Sequence, residues 1–294
     1  ELLPHQVMRA RMVNNTAGGK GMNVSRVAAS AGEKVTAMGF LGGHCGNYFK
    51  SLIDVANLNC AFTCVCGETR SCINIHDLAT NQSTEVLEPG EPVTKDDLDR
   101  FLRDFKTQLP YADVVTISGS MPKGVKPDFY ANLIILAKEQ GKKVILDSSG
   151  AALAAGIGAI PTMIKPNSDE IRQLFGGENS KPDNLIHKGR QLHTRGIEYV
   201  VISLGEEGAL LICAEGIFSG KPPQLNIVNS VGCGDSMVAG FACGFQRGYD
   251  AEESLRFAVA ISAANALTAE TGSFLEEDLK NLLKEVKIQK LLEQ

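Results

Sequence analysis

The stretch DVVTISGSMPKGVKPDFYANLIILAKEQGKKVILD, residues 113–147, decides the fold class. Asp113–Gly119 is an apolar, β-branched run that stops at glycine, the composition of a buried strand. Pro127–Gln140 carries apolar residues at helical spacing and stops at Gly141; Lys143–Asp147 (KVILD) is strand again. The alternation continues with a strand over Thr162–Lys165, a short acid-led helix over Ser168–Phe175, a helix over Asp183–Thr194 and a strand over Glu198–Leu204. Short apolar strands alternating with helices predict an α/β fold, a mostly parallel sheet with helices on both faces.

Working outward, the C-terminal part changes character, with three consecutive helices expected near 234–247, 251–270 and 275–292. On the other side, residues 60–93 contain short alternating runs, CINIHD and STEVLEP, separated by turn residues, which predicts a small β element laid over the main sheet. Neither a repeat nor a low-complexity linker divides the 294 residues, so one domain is expected. Hydrophobic residues make up 44% and charged residues 21%, enough to bury a large core. A net charge of −5, with Lys/Arg runs no longer than two, argues against nucleic acid as a partner. No apolar stretch approaches about 18 residues and no leader is visible, so a soluble, cytoplasmic protein without membrane partners is expected.

Eight cysteines raise the question of a metal site. Cys60, Cys64, Cys66 and Cys72 cluster, but not at C-x2-C spacing, and His76 completes no zinc-type ligand pair. Cys60, Phe62, Cys64 and Cys66 would share one face of a strand, so reduced cysteines packed as small hydrophobes are expected there rather than a metal.

Two glycine-rich motifs carry the chemistry. In Asn229–Gly240 (NSVGCGDSMVAG), Gly232 and Gly234 flank Cys233, and Asp235 follows in the first turn of a helix. Glycines let backbone N–H groups converge, and the helix N-terminus adds partial positive charge, together a cradle for a transferring phosphoryl group. A carboxylate beside such a cradle can take the proton of an attacking hydroxyl, worth about 10²–10⁴-fold; the plainer alternative is an Asp capping an ordinary turn. In Thr16–Val27 (TAGGKGMNVSRV), Gly18, Gly19 and Gly21 open a second helix with Lys20 at its start. This is neither a P-loop nor a dinucleotide fingerprint.

With these two motifs some 210 residues apart, and SGSMPKG (118–124), LDSSG (146–150), KPNSDE (165–170) and SLGEEG (203–208) between them, the chain resembles the ribokinase/phosphofructokinase-B family of sugar kinases over essentially its full length. The resemblance implies a ribokinase-like fold over 1–294 with a β lid formed from about 1–16 and 68–95. It implies ATP with Mg2+, a homodimer paired through the lid, and phosphorylation of a ketohexose monophosphate. Fructose 1-phosphate and tagatose 6-phosphate both remain open as that substrate, and an unphosphorylated sugar such as ribose is the further alternative. A sugar-phosphate sensor without catalysis is the alternative outside the enzymes.

By matched motif, Asp235 would be the proton acceptor, with Gly232, Cys233 and Gly234 forming the anion hole. The loop with Ser203, Gly205 and Gly208 would cover the nucleotide. Asn167 and Glu170 would hold magnesium-bound waters, with Lys165 beside them, although Asn167 alone also reads as a helix cap. Asn265 would face the adenine or lie as a buried helix amide. Gly19, Lys20 and Asn23 would meet the sugar, and Arg70 and Arg9 would clamp its phosphate with charge-assisted bonds. Relatives begin with a strand carrying N-P-x-[IL]-D, whose Asp binds sugar hydroxyls. No such segment precedes Glu1, so either that strand lies outside these residues or sugar binding is impaired. Cys233, at a helix N-terminus where relatives carry Ala or Ser, is expected to have a lowered pKa and a reactive thiolate.

Overall fold

The computed structural model describes residues 5–80, 82–176 and 182–291. The chain enters through α1 (Lys20–Ser30), β1 (Val35–Gly42), α2 (Gly43–Ser51), β2 (Leu58–Val65) and a hairpin, β3 (Cys72–Asp77) and β4 (Gln82–Leu87). There follow α3 (Lys95–Gln108), β5 (Val114–Ser118), α4 (Phe129–Glu139), β6 (Lys143–Asp147), α5 (Gly150–Gly158), β7 (Met163–Ile164), α6 (Ser168–Phe175), α7 (Pro182–Thr194) and β8 (Tyr199–Ser203). The last part comprises β9 (Ala209–Cys213), β10 (Gly216–Lys221), α8 (Cys233–Arg247), α9 (Ala251–Ala266), α10 (Glu276–Glu285) and β11 (Lys287–Leu291).

The large sheet has seven strands in the order β11-β10-β9-β8-β7-β6-β5. From β5 to β8 the pairings are parallel, as the strand–helix alternation predicts. From β8 to β11 they are antiparallel, so the sheet is mixed. The antiparallel half went unread in the sequence because β9 and β10 follow β8 without a helix between them. β11 lies where a continuous helix over 275–292 is expected: α10 ends at Glu285, and after Val286 the free edge of β10 takes Lys287–Leu291 into a ladder. The lysines of KIQKL suit an outermost strand, where they block further pairing.

Burial explains the uniform apolarity of the parallel strands. Val144, Ile145 and Leu146 are all fully buried. Ile145, with Val201 and Leu211, packs on one face against α1, α8 and α9. Val144 and Leu146, with Val200 and Ile202, pack on the other against α3, α4, α5 and α7. Alternate side chains point to opposite cores, so both must be apolar.

β1 and β2 form a separate parallel pair. Both β1 and β5, the facing ends of the two sheets, line a cleft of about 1050 Å³ that runs to Lys20 and Arg70. The hairpin β3–β4 is its own two-stranded antiparallel sheet and is almost wholly exposed. Residues 5–16 carry no strand and are exposed, so the β structure near the lid comes from β3 and β4 alone among the described residues.

The cysteine expectation is corrected here. Cys60, Cys64, Cys66 and Cys72 are exposed free thiols. On β2 the buried position is Thr63, on the face opposite Cys60 and Cys64, and on the cysteines' own face it is Phe62 that packs, against Phe49. Among the described residues no helix is long and apolar enough to cross a membrane.

Candidate active site

Both glycine motifs become helix N-termini, and α1 packs on α8, so the two ends lie together. Gly19 precedes α1 with φ 101°, and Gly232 precedes α8 with φ 83°, positive values that a side chain would strain. A Cβ on Gly232 would fall 2.8 Å from the Thr271 methyl carbon. On Gly234 it would meet the Lys165 ammonium at 3.4 Å, so this glycine lets a cation approach the backbone of the first turn.

Asp235 sits in that turn, 6% exposed. Its Oδ2 accepts a hydrogen bond from Asn23 Nδ2 at 2.8 Å. Burial pushes its pKa up to about 6; the Asn23 bond and the charges of Lys20 and Lys165 oppose this, while Asp147 adds to it. Such a carboxylate is a stronger base than an exposed one and is still ionised near neutral pH.

Asp147, at the carboxyl end of β6, is the residue that sequence reasoning missed. It is 1% exposed and lies between two lysines, with Lys20 Nζ 3.3 Å from one carboxylate oxygen and Lys165 Nζ 3.4 Å from the other. Its signal was the LDSSG landmark together with its place at a strand's carboxyl end, where open α/β sheets bind ligands. Lys20 is thereby surrounded. Desolvation alone would lower its pKa, but Asp147, Asp235 and Glu170 outweigh this and hold it above the ordinary lysine value.

Asn167 caps α6. Its Oδ1 accepts from the N–H groups of Asp169 and Glu170, and Glu170 Oε2 accepts from Asn167 N at 2.8 Å. This capping box holds Glu170 near Lys20. Ser203 ends β8 and bridges to Asn167, which brings the 203–208 loop beside α6. Gly205 and Gly208 both take positive φ, and a Cβ on Gly208 would overlap the Gly220 carbonyl, so that turn requires glycine.

Several expectations change. The Cys233 thiol is pushed up, not down: burial dominates over the bond from Asn265, and Asp235 adds to the rise. This direction runs against the expected lowered pKa and reactive thiolate. Asn265 is fully buried; its amide nitrogen donates to Val231 O at 3.0 Å, and its oxygen accepts from Gly272 N at 2.8 Å. It is a buried helix amide, tying residues 231–233 to 272–273. Arg70 is exposed, donates to Ser120 Oγ at 3.3 Å and lines the cleft with Gly19 and Lys20. Arg9 is exposed and is not among the cleft's lining residues.

A buried carboxylate, two lysines and two glycine-led helix starts thus converge at one end of the cleft, and the comparisons give the chain its family. Residues 1–278 match the model of the pfkB family carbohydrate kinases. The chain is 38% identical over 288 residues to a tagatose-6-phosphate kinase of Staphylococcus epidermidis, covering 96% of this chain and 91% of that protein. It is 36% identical over 274 residues to a 1-phosphofructokinase of Bacillus subtilis, covering 93% and 88%. Among solved structures, phosphofructokinase-2 of Escherichia coli superposes with a TM-score of 0.89 at 29% identity, covering 97% of this chain and 92% of that one. The chain belongs to the pfkB family of carbohydrate kinases. Within it, it is a sugar phosphate kinase, a phosphotransferase acting on a sugar hydroxyl.

Proposed function

We propose that this chain transfers the γ-phosphoryl group of ATP to the free primary hydroxyl of a ketohexose monophosphate. The first candidate is fructose 1-phosphate, giving fructose 1,6-bisphosphate, and tagatose 6-phosphate is the alternative. The observation that carries the reading is a buried carboxylate of raised pKa, Asp235, in the first turn of a glycine-led helix with Lys165 against that turn. Asp235 takes the hydroxyl proton, and the N–H groups of 232–235 stabilise the charge on the group in transit. Lys20 and Lys165, held by Asp147, face phosphate oxygens.

The residues present fit a magnesium ion. Glu170 is partly exposed, only its Oε2 is used by the capping box, and it sits near a lysine that phosphates would share. Magnesium, when bound, neutralises charge on ATP phosphate oxygens. Asn167 and Glu170 would hold its waters, and the turn with Ser203, Gly205 and Gly208 would cover the nucleotide. The whole chain acts as one unit, with β3–β4 and their flanks as the lid.

Replacing Asp235 with Asn is expected to lower kcat about 10²-fold or more with a smaller change in KM. Steady-state kinetics by coupled ADP release over a panel of sugar phosphates checks this. More than half of wild-type kcat in the variant would remove Asp235 from the role. Arg70 is the clamp for the substrate's own phosphate, supported by its place in the cleft beside Ser120. Arg70→Ala should raise KM for the sugar phosphate about tenfold or more and leave KM for ATP within about threefold. An unchanged sugar-phosphate KM would favour an unphosphorylated sugar as substrate.

A further inference from the structure

Asn23 is placed by its sequence motif among residues that meet the sugar, yet in the folded chain one of its two amide N–H donors is already directed at Asp235. Its amide nitrogen lies 2.8 Å from Asp235 Oδ2, across 212 positions of sequence. Both side chains are nearly enclosed, each 6% exposed. The Asn23 oxygen is buried without a hydrogen-bond partner. Asn23 therefore presents one N–H of its NH2 group to the carboxylate, leaving its second N–H and its buried oxygen without a role in that bond.

We propose that Asn23 is a positioning residue that acts through Asp235, fixing one carboxylate oxygen so that the other is left to accept the proton of the acceptor hydroxyl. A carboxylate with two free oxygens in a nearly closed site can rotate and spread its proton affinity over both. One held at Oδ2 by a rigid amide presents a single acceptor in a single direction. α1 is suited to hold it, because Asn23 lies in the first turn of the helix, and Gly272 lets the next loop close over it. A Cβ on Gly272 would sit 3.1 Å from the Asn23 Cα and Cβ. The inference rests on Asp235 being the base.

The groups that face Asp235 determine how its titration reports on Asn23. They are Lys20 from α1, Asp147 from β6, Lys165 beyond β7 and the Cys233 thiol on its own helix, with Glu170 of α6 acting on Lys20. The Asn23 hydrogen bond favours the ionised carboxylate in company with the two lysines. Losing the bond without letting water in should therefore raise the pH below which activity fails.

The test compares pH–rate profiles of Asn23→Leu, Asn23→Asp and Asp235→Asn in the full chain with ATP and fructose 1-phosphate or tagatose 6-phosphate, whichever the substrate panel selects. Leu keeps the volume and removes the donor: kcat is expected to fall about 10-fold or more and the acid limb to move up by about one pH unit, with KM for ATP within about threefold. Asp at 23 can donate to Asp235 only while the pair shares a proton, so that variant should gain a falling alkaline limb absent from the wild type. An unmoved acid limb in Asn23→Leu together with no new limb in Asn23→Asp would overturn the proposal. So would an unchanged kcat with a sugar KM raised about tenfold, the mark of a direct sugar ligand. An inactive Asp235→Asn alongside those outcomes leaves the base assignment standing and sinks only Asn23's role, whereas an active one sinks the base reading itself. Thermal melting of each variant separates misfolding from these effects, and Asn23→Asp, the closest in shape, carries the test if Asn23→Leu does not fold.

Discussion

Asp235 is costly where it stands. Its pKa is raised by burial from the usual carboxylate range to about 6, so the folded state binds its proton more tightly than the unfolded chain does. The sign follows: this group favours the fold below the unfolded pKa of about 4, and that contribution is lost as pH rises through about 6. A neutral Asn at 235 should therefore be more stable than the wild type at pH 8, by on the order of 1–3 kcal/mol or a few degrees in Tm. The gap should close near pH 4, and thermal melts across that range check it. Equal melting at pH 8 would mean that the carboxylate is not desolvated. Activity given up for stability at a single position is the usual signature of a site held ready at a cost. At this scale the motif was legible in the sequence, since NSVGCGDSMVAG holds Asp235, proposed above as the base, and its glycines. The Cys233 error shows the limit: position at a helix start was visible, but the burial that governs the thiol was not.

The elements hold that site through close packing of small residues. α8 meets α9 at glycines, and a Cβ on Gly240 would fall 2.5 Å from the Ala258 Cα, while one on Gly244 would meet Ser254 Oγ at 2.8 Å. Gly240→Ala gains about 0.5–1 kcal/mol of helix propensity but forces the backbones apart, which costs about 1–3 kcal/mol, so net destabilisation is expected. Gly158, at the end of α5, has nothing within 4 Å of an added Cβ. Gly158→Ala should therefore be neutral or stabilising by up to about 1 kcal/mol. Denaturant titration of the two variants tests the contrast, and equal effects would show that the α8–α9 approach is not tight. The helices and parallel strands of 113–204 were readable because their period and their glycine stops are local. β9, β10 and β11 were not, because an antiparallel ladder with a lysine-rich outer strand is decided by the neighbouring edge and not by the residues' own pattern.

For the whole molecule, the hairpin β3–β4 poses the remaining question. Ile73 pairs across to Val86, and with Ile75 they put exposed apolar side chains on one face. A two-stranded sheet of this kind is marginal alone and gains from cover. We infer that a second copy covers it, in keeping with the dimer that the family resemblance implies. Sedimentation velocity at micromolar concentration should show a dimer that the Ile73→Lys, Val86→Lys double variant loses, and a monomeric wild type would overturn the reading. The base of the hairpin is tied to the cleft by Arg70, which reaches both Glu88 O and Ser120 Oγ.

The sequence alone determined the α/β class, the sugar-kinase family and the two glycine-led helix starts, because each depends on short-range pattern: apolar period, glycine placement and a carboxylate at fixed offset. Only the tertiary structure decided that Asn23 bonds Asp235, that Asp147 lies between two lysines, and that Asn265 ties Val231 to Gly272. Those facts join residues from 20 to 272. The reason is burial: contacts and proton affinities in an enclosed site are fixed by which distant groups exclude water together, and no local window of residues encodes that.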